Sequence, residues 1–440
     1  MRAQARASIR RLTLVIACLL PVFLPASQAS AHLSGHGGPV RGVAVSPDGS
    51  RAVTTSFDYS VILWSLDSSE ATAILHGHEA AVNAVAMLPD GTGAVTAGDD
   101  GKLVFWRFGE TEPVRVVAAH DGRIVALSLS PDGKAIASAG WDGDAALWDA
   151  GSGALIRRFD GHQSNVNDAV FSPDGTMLAT AAYDGVIRLW NIADGRLLRD
   201  LTGHEFSVNA LAFLPDSGAL LSAGTDETIR RWNPATGQEM SRRLAHKGPV
   251  LDIAVSPDGK SFASGGIDGM VRLWKVGEER PVHALAGRGG PVWAVAYTPD
   301  SGRVLAAGND SVVRLWDAAT GDALGDPVAA TAGASAAPQD KGAAIFRRCG
   351  PCHTVTADGG NRAGPTLHGI FGRKAGTLEG YPYSPALRDS DIVWTAETIG
   401  DLFTQGPDVV TPGSKMPLQK LVRQEDREAL IEYLRRVTGP

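Results

Sequence analysis

The stretch "RRCGPCHTVT" sets Cys349, Cys352 and His353 in a C-x-x-C-H frame. Two thiols three positions apart, followed at once by an imidazole, could serve three chemistries. As zinc ligands they would need further Cys or His, and only His368 remains between residues 340 and 440. As a dithiol redox pair they would sit beside a βαβ unit, and no such pattern surrounds them. As a haem-attachment site they are complete. The thiols can add to two vinyl groups, and the adjacent His353 can bind iron. One covalently attached haem c is therefore expected. An iron held by one histidine asks for a sixth ligand, and a soft thioether suits it. Met416, in "TPGSKMPLQ", is the one methionine of this region and lies in a Pro/Gly loop rather than on a helix.

The elements that must position these groups read as helices. "DKGAAIFRR" opens on an Asp suited to capping a helix N-terminus. Ile399, Leu402 and Phe403 fall at i, i+3 and i+4, and Leu430, Ile431, Tyr433, Leu434 and Val437 mark the inner face of a closing helix. With "GPTLHGIFGRKAG", this region resembles class I cytochrome c of the mitochondrial and cytochrome c2 type. The resemblance implies that Pro365 orients His353 through its carbonyl. It also implies that Arg373, Tyr383, Trp394 and Ser414 hold the haem propionates, and that Gly342, Phe346 and Tyr433 pack the first helix on the last. His368 matches a structural loop histidine. The lysine-rich rim common in the family is reduced here to Lys341, Lys374, Lys415 and Lys420.

Upstream the text is periodic. Tryptophan recurs at Trp64, Trp106, Trp148, Trp190, Trp232, Trp274 and Trp316, a step of 42 residues each time. Histidine keeps the step through His36, His78, His120, His162, His204 and His246, until Arg288 breaks the series. Aspartate keeps it from Asp58 to Asp310, and a hydroxyl column runs from Thr54 to Ser264 before ending at Ala306. A P-D-G or P-D-S turn sits at one phase of every unit. Each unit fits four short strands, and the seven units resemble the WD-repeat family. That resemblance implies an all-β seven-bladed propeller over residues 32–329.

The seven polar sets look like catalytic triads. The resemblance instead implies a buried hydrogen-bond network inside each blade, in keeping with the rule that buried polar groups are paired. Blade seven, with Arg288 and Ala306, is expected to lack the network and to be the softest. If the mature chain starts at His32, little precedes the first Gly-His. Residues 321–330 are then expected to complete blade seven, with no strand exchange.

Function in such a ring belongs where the repeat breaks. The column before the blade aspartate reads Phe57, Asp99, Trp141, Tyr183, Thr225, Ile267, Asn309. In the family this column faces the mouth of the central channel. Phe206 and Trp293 are aromatic departures from their own columns. Phe57, Trp141, Tyr183, Phe206 and Trp293 are therefore candidate partner-binding residues, since exposed aromatic rings anchor interfaces.

Charge and termini bound the setting. Residues 32–339 hold 24 Lys and Arg against 36 Asp and Glu, an acidic balance unlike the cationic footprint that nucleic acid requires. The first 31 residues carry Arg2, Arg6, Arg10 and Arg11, then an apolar run from Leu12 to Leu24, then "ASQASA". This reads as a cleaved signal peptide, with periplasmic localisation and no stable membrane insertion afterwards. Its loss would remove Cys18 and leave only the C-x-x-C-H thiols. Residues 330–339 read as a linker of small residues.

The whole is a multidomain chain: a seven-bladed propeller followed by an all-α cytochrome c domain over 340–440. The expected function is single-electron transfer in the periplasm through a His/Met-ligated haem, without enzymatic turnover. The propeller would dock redox partner proteins. The alternative is an oxidoreductase whose propeller mouth binds a substrate or second cofactor and passes electrons to the haem.

Overall fold

A computed structural model describes residues 32–216, 218–287, 290–324, 341–346, 349, 353–356, 364–379, 381, 383–411, 421 and 423–439. Residues 1–31, Arg288, residues 330–339, Cys352, Ser414 and Met416 lie outside the described residues.

From Leu33 to Leu324 the chain forms seven four-stranded antiparallel sheets. In blade one the strands are Val40–Val45, Arg51–Ser56, Ser60–Ser65 and Ala71–His76, counted from the channel outward. Five further blades repeat this order with consecutive strands. The turn at the mouth-distal end requires a left-handed residue, which glycine adopts without a Cβ clash. Gly49 (φ 72°) and Gly175 (φ 70°) fill it, while Ser301 takes the same conformation at φ 60° in blade seven. The apolar side chains of neighbouring sheets interlock, as Trp64 does with Val40, Leu305 and Leu315.

Six blades carry the polar network. Each Trp Nε1 donates to the blade hydroxyl at 2.7–3.0 Å. The same hydroxyl lies 2.7–2.8 Å from His Nε2. Because indole only donates, the hydroxyl proton is left for Nε2, and in blades one, two, three and five His Nδ1–H then donates to the blade aspartate. The hydroxyls are fully buried, so the sets are closed to substrate. Blades four to six add an arginine in one column, Arg188, Arg230 and Arg272, each paired with its own aspartate. In blade seven Ala306 is buried in place of the hydroxyl and packs among Val304, Val295 and Trp316. Arg314 pairs with Asp310 there, so the aspartate keeps a partner.

Closure differs from the sequence expectation. Leu33–Ser34 pairs antiparallel with Val312–Val313, so the N-terminal strand completes blade seven and the ring closes by strand exchange. The other end of the same edge is covered from the C-terminal side, where Ala323 bridges Trp316 and Leu324 N–H bonds to Leu315 O at 2.9 Å. Two residues suffice because Leu33 is only 1% exposed. It joins the core of Val40, Leu305, Val313 and Leu315.

The C-terminal region is helical. Its helices are α1 (Lys341–Phe346), α2 (Pro385–Arg388), α3 (Ala396–Gln405), α4 (Pro407–Val410) and α5 (Gln424–Val437), of which α1, α3 and α5 contribute to a small apolar core. α1 crosses α5 at Gly342, where a Cβ would come 2.1 Å from Ala429 O, and the rings of Phe346 and Tyr433 meet at 5.2 Å. Thr395 and Thr398 form a reciprocal cap on α3. That helix buries Ile399, Leu402 and Phe403, and Ile399 and Phe403 pack with Leu430 and Leu434 of α5.

Candidate functional site

His353 follows α1 by seven residues, and its backbone N–H bonds to Cys349 O at 2.9 Å. Its Nδ1 lies 2.7 Å from Pro365 O. A carbonyl only accepts, so Nδ1 carries the proton and the Nε2 lone pair is left for a metal. Burial pushes the imidazole below its usual pKa. The Pro365 carbonyl opposes this, and the Arg373 charge adds to it. The ring sits against Gly364, where a Cβ would lie 2.4 Å from His353 Cε1. Cys349, 8% exposed, belongs to the apolar cluster of Phe346, Ile370 and Leu430, with Leu367 and Trp394 packed on it.

A short antiparallel contact gathers the other candidates. Lys374 bridges Val393, Gly372 N–H bonds to Trp394 O, and Trp394 N–H bonds to Arg373 O. Arg373 donates to His368 O at 3.0 Å and Thr366 O at 2.7 Å, bracing the loop that carries Pro365. Tyr383 is near enough to Arg373 for the charge to act on its hydroxyl, although burial dominates and raises its pKa. His353 and Pro365 are thus joined directly, and Tyr383 and Trp394 both approach Arg373. Arg373 reaches backbone carbonyls, and His368 offers its carbonyl to that arginine. A buried thiol, an imidazole with a fixed tautomer and an apolar wall fit a covalently held haem.

The propeller has its own concavity. A cavity of about 900 Å³ opens at the channel mouth. Phe57, Trp141, Tyr183, Phe206 and Trp293 all line it, with Asp99, Thr225 and Ile267. Trp141 meets Tyr183 edge to face at 5.8 Å, and Arg123 lies 4.6 Å over the Trp141 ring. Tyr183 and Phe206 are exposed by 51% and 60%, with Ile267 at 42%, so one arc of the rim is apolar and open.

Sequence reasoning missed a second column at this mouth. The innermost strand pair of every blade contains a bulge at the same phase. A bulge re-aims the extra side chain. The bulged residues, Arg41, Asn83, Val125, Asn167, Asn209, Leu251 and Trp293, all line the cavity. Asn83, Asn167 and Asn209 donate to strand carbonyls of the next blade, Ile124, Val208 and Val250, at 2.8–2.9 Å. Beside this column Asp168 and Asp252 accept from Leu211 N–H and Val295 N–H of the following blade, both at 2.7 Å. Burial lifts these two carboxyls to about 7, against the backbone hydrogen bonds. The available signal was a polar residue breaking the apolar run of an inner strand.

Residues 66–317 match the family model described as IFT122 first beta-propeller, residues 27–65 that of the WD domain, G-beta repeat, and residues 339–438 that of cytochrome c. Cytochrome c of Gibberella zeae is 45% identical over 96 residues, covering 22% of this chain and 90% of that protein. Cytochrome c of Arabidopsis thaliana is 41% identical over 99 residues, covering 22% and 88%. That of Kluyveromyces lactis is 38% identical over 97 residues, covering 22% and 87%.

Proposed function

The chain belongs to the β-propeller family described as IFT122 first beta-propeller and carries a cytochrome c domain behind it, and from that membership we propose an exported one-electron carrier whose propeller selects the redox partner. The cytochrome c domain implies haem-based electron transfer and covalently attached haem c. When bound, that group supplies reversible Fe(III)/Fe(II) exchange. Cys349 and Cys352 would hold it by thioether bonds, His353 would bind its iron through Nε2, and Met416 would supply a second protein ligand. Arg373, Tyr383, Trp394 and Ser414 serve the propionate side. The signal peptide of residues 1–31 sends the chain to the periplasm, where C-x-x-C-H holds the only thiols left.

The observation that carries the reading is the His353–Pro365 hydrogen bond. It holds the imidazole in one tautomer and one orientation, as a metal ligand needs. Two protein ligands would saturate the iron, so electrons pass without substrate binding there. The aromatic mouth of the propeller supports a docking role, since rigid rings bury area at little entropic cost.

Met416→Ala is the test. The long-wavelength band of Met-ligated ferric haem should vanish and the reduction potential should fall. An unchanged spectrum would refute the ligand assignment.

A further inference from the structure

Blades one and seven break the bulged column together. Where three blades place an asparagine that reaches the next blade, these two place Arg41 and Trp293. The guanidinium carbon of Arg41 lies 4.3 Å from the Trp293 ring centre and 5.5 Å from that of Phe57. The arginine is thereby clamped between two aromatic rings. Its Nε is buried without a hydrogen-bond partner among the described residues, and so is the indole Nε1 of Trp293.

The acids close enough to act on Arg41 are Asp99 and Asp252. Both are engaged elsewhere. Asp99 accepts from Asn83 Nδ2 at 2.8 Å and lies 3.7 Å from Arg123. Asp252 accepts from Ile253 and Val295 N–H. A buried donor without an acceptor is costly, and the two side chains that carry these donors both line the same cavity.

We propose that the propeller mouth is a carboxylate-binding site, with Arg41 as the anchor and the aromatic rim receiving an apolar stem attached to the carboxylate. A guanidinium held flat offers its N–H edge to a planar, bidentate oxyanion. A carboxylate fits better than a phosphate dianion, because Asp99 stands nearby and would repel the second charge. The stem would run over Tyr183, Phe206 and Ile267, the exposed arc of the rim. The site deepens the reading that the mouth is the binding face, and it gives that face a ligand chemistry. The carboxylate could belong to a free organic acid or to an acidic side chain of the docked partner.

The experiment titrates the haem-loaded full chain with three probes, followed by tryptophan fluorescence and calorimetry. They are benzoate, its neutral counterpart benzamide, and an N-acetylated peptide amide carrying one Asp beside one Phe. Benzoate or the peptide should bind while benzamide does not. Arg41→Gln should weaken binding about ten- to hundredfold. Arg41→Lys, which keeps the charge but loses the fork, should fall between and guards against a folding defect. Tighter benzoate binding identifies a free acid, and tighter peptide binding identifies a partner side chain. Binding of benzamide equal to benzoate, no loss in Arg41→Gln, or no binding of either carboxylate overturns the proposal. If the mouth still captures a redox partner in that case, the docking reading survives and the carboxylate site alone is lost.

Discussion

The Nδ1 atom of His353 lies 2.7 Å from the carbonyl oxygen of Pro365, twelve positions further along the chain, with Gly364 pressed against the same ring. Glycine is required there for space. Gly364→Ala would put a methyl group 2.4 Å from Cε1, and the ring would have to leave its place. The expected outcome is loss of stable haem incorporation while the propeller remains folded. Absorbance per chain together with calorimetry checks it; normal haem content in this variant would contradict the positioning.

Ring closure should depend on Leu33. Truncating a leucine at 1% exposure removes its burial and leaves a cavity, so Leu33→Ala should cost about 2–5 kcal/mol. Leu155→Ala, at an exposed position, should change stability by about 0.5 kcal/mol or less. The calorimetric transition of the propeller measures both. Equal transitions for the two variants would mean that the N-terminal strand does not hold blade seven.

Acid should act on the propeller through two groups of carboxyls with opposite signs. Asp58 and Asp268 are held near 2: burial opposes their charge, but contacts with His36 and His246 outweigh it. Their folded pKa lies below the unfolded value of about 4, so their stabilisation is present above 4 and lost as pH falls toward 2. Asp168 and Asp252 are lifted to about 7 by burial, so their contribution is present below 4 and lost as pH rises through 7. Asp58→Asn should flatten the stability profile only below about pH 4, and Asp252→Asn only between about 4 and 7. Thermal unfolding across pH 2–8 distinguishes them. A change in the wrong window would show that the pKa directions are misassigned.

Partner capture should depend on the aromatic mouth. Replacing Trp141 and Trp293 by Ala should weaken capture of the redox partner by about tenfold or more while leaving the haem spectrum unaltered. The partner is identified by affinity capture with the unmodified chain and its affinity for each variant then measured. Equal affinities would move docking away from the mouth.

The repeat was legible because its step never slips. Seven tryptophans 42 residues apart require seven equivalent units, and the accompanying His, Ser/Thr and Asp can share one buried network only if each unit has the same strand register. The C-x-x-C-H frame was legible for a similar reason, since its chemistry is contained in five consecutive residues. The candidate aromatic residues were found as breaks in a column, and all five line one cavity.

Other relationships were out of reach of periodicity. Leu33 meets Val313 because a ring has no free end, and the last sheet takes whichever nearby segment can bury a side chain at its edge. Counting residues before the first Gly-His judged the length available and missed that two pairs are enough. Arg41 and Trp293 are 252 positions apart in sequence, yet blades one and seven are neighbours once the circle closes.

What the sequence determined alone is the set of parts: seven equivalent blades, a haem-attachment motif, and the residues that depart from each column. The tertiary structure decided which departures meet. A periodic pattern reports what each unit must bury in itself, whereas closure and the strand bulges set which side chains from different units converge. Hence the blade networks were readable in advance, and the clamped arginine at the channel mouth was not.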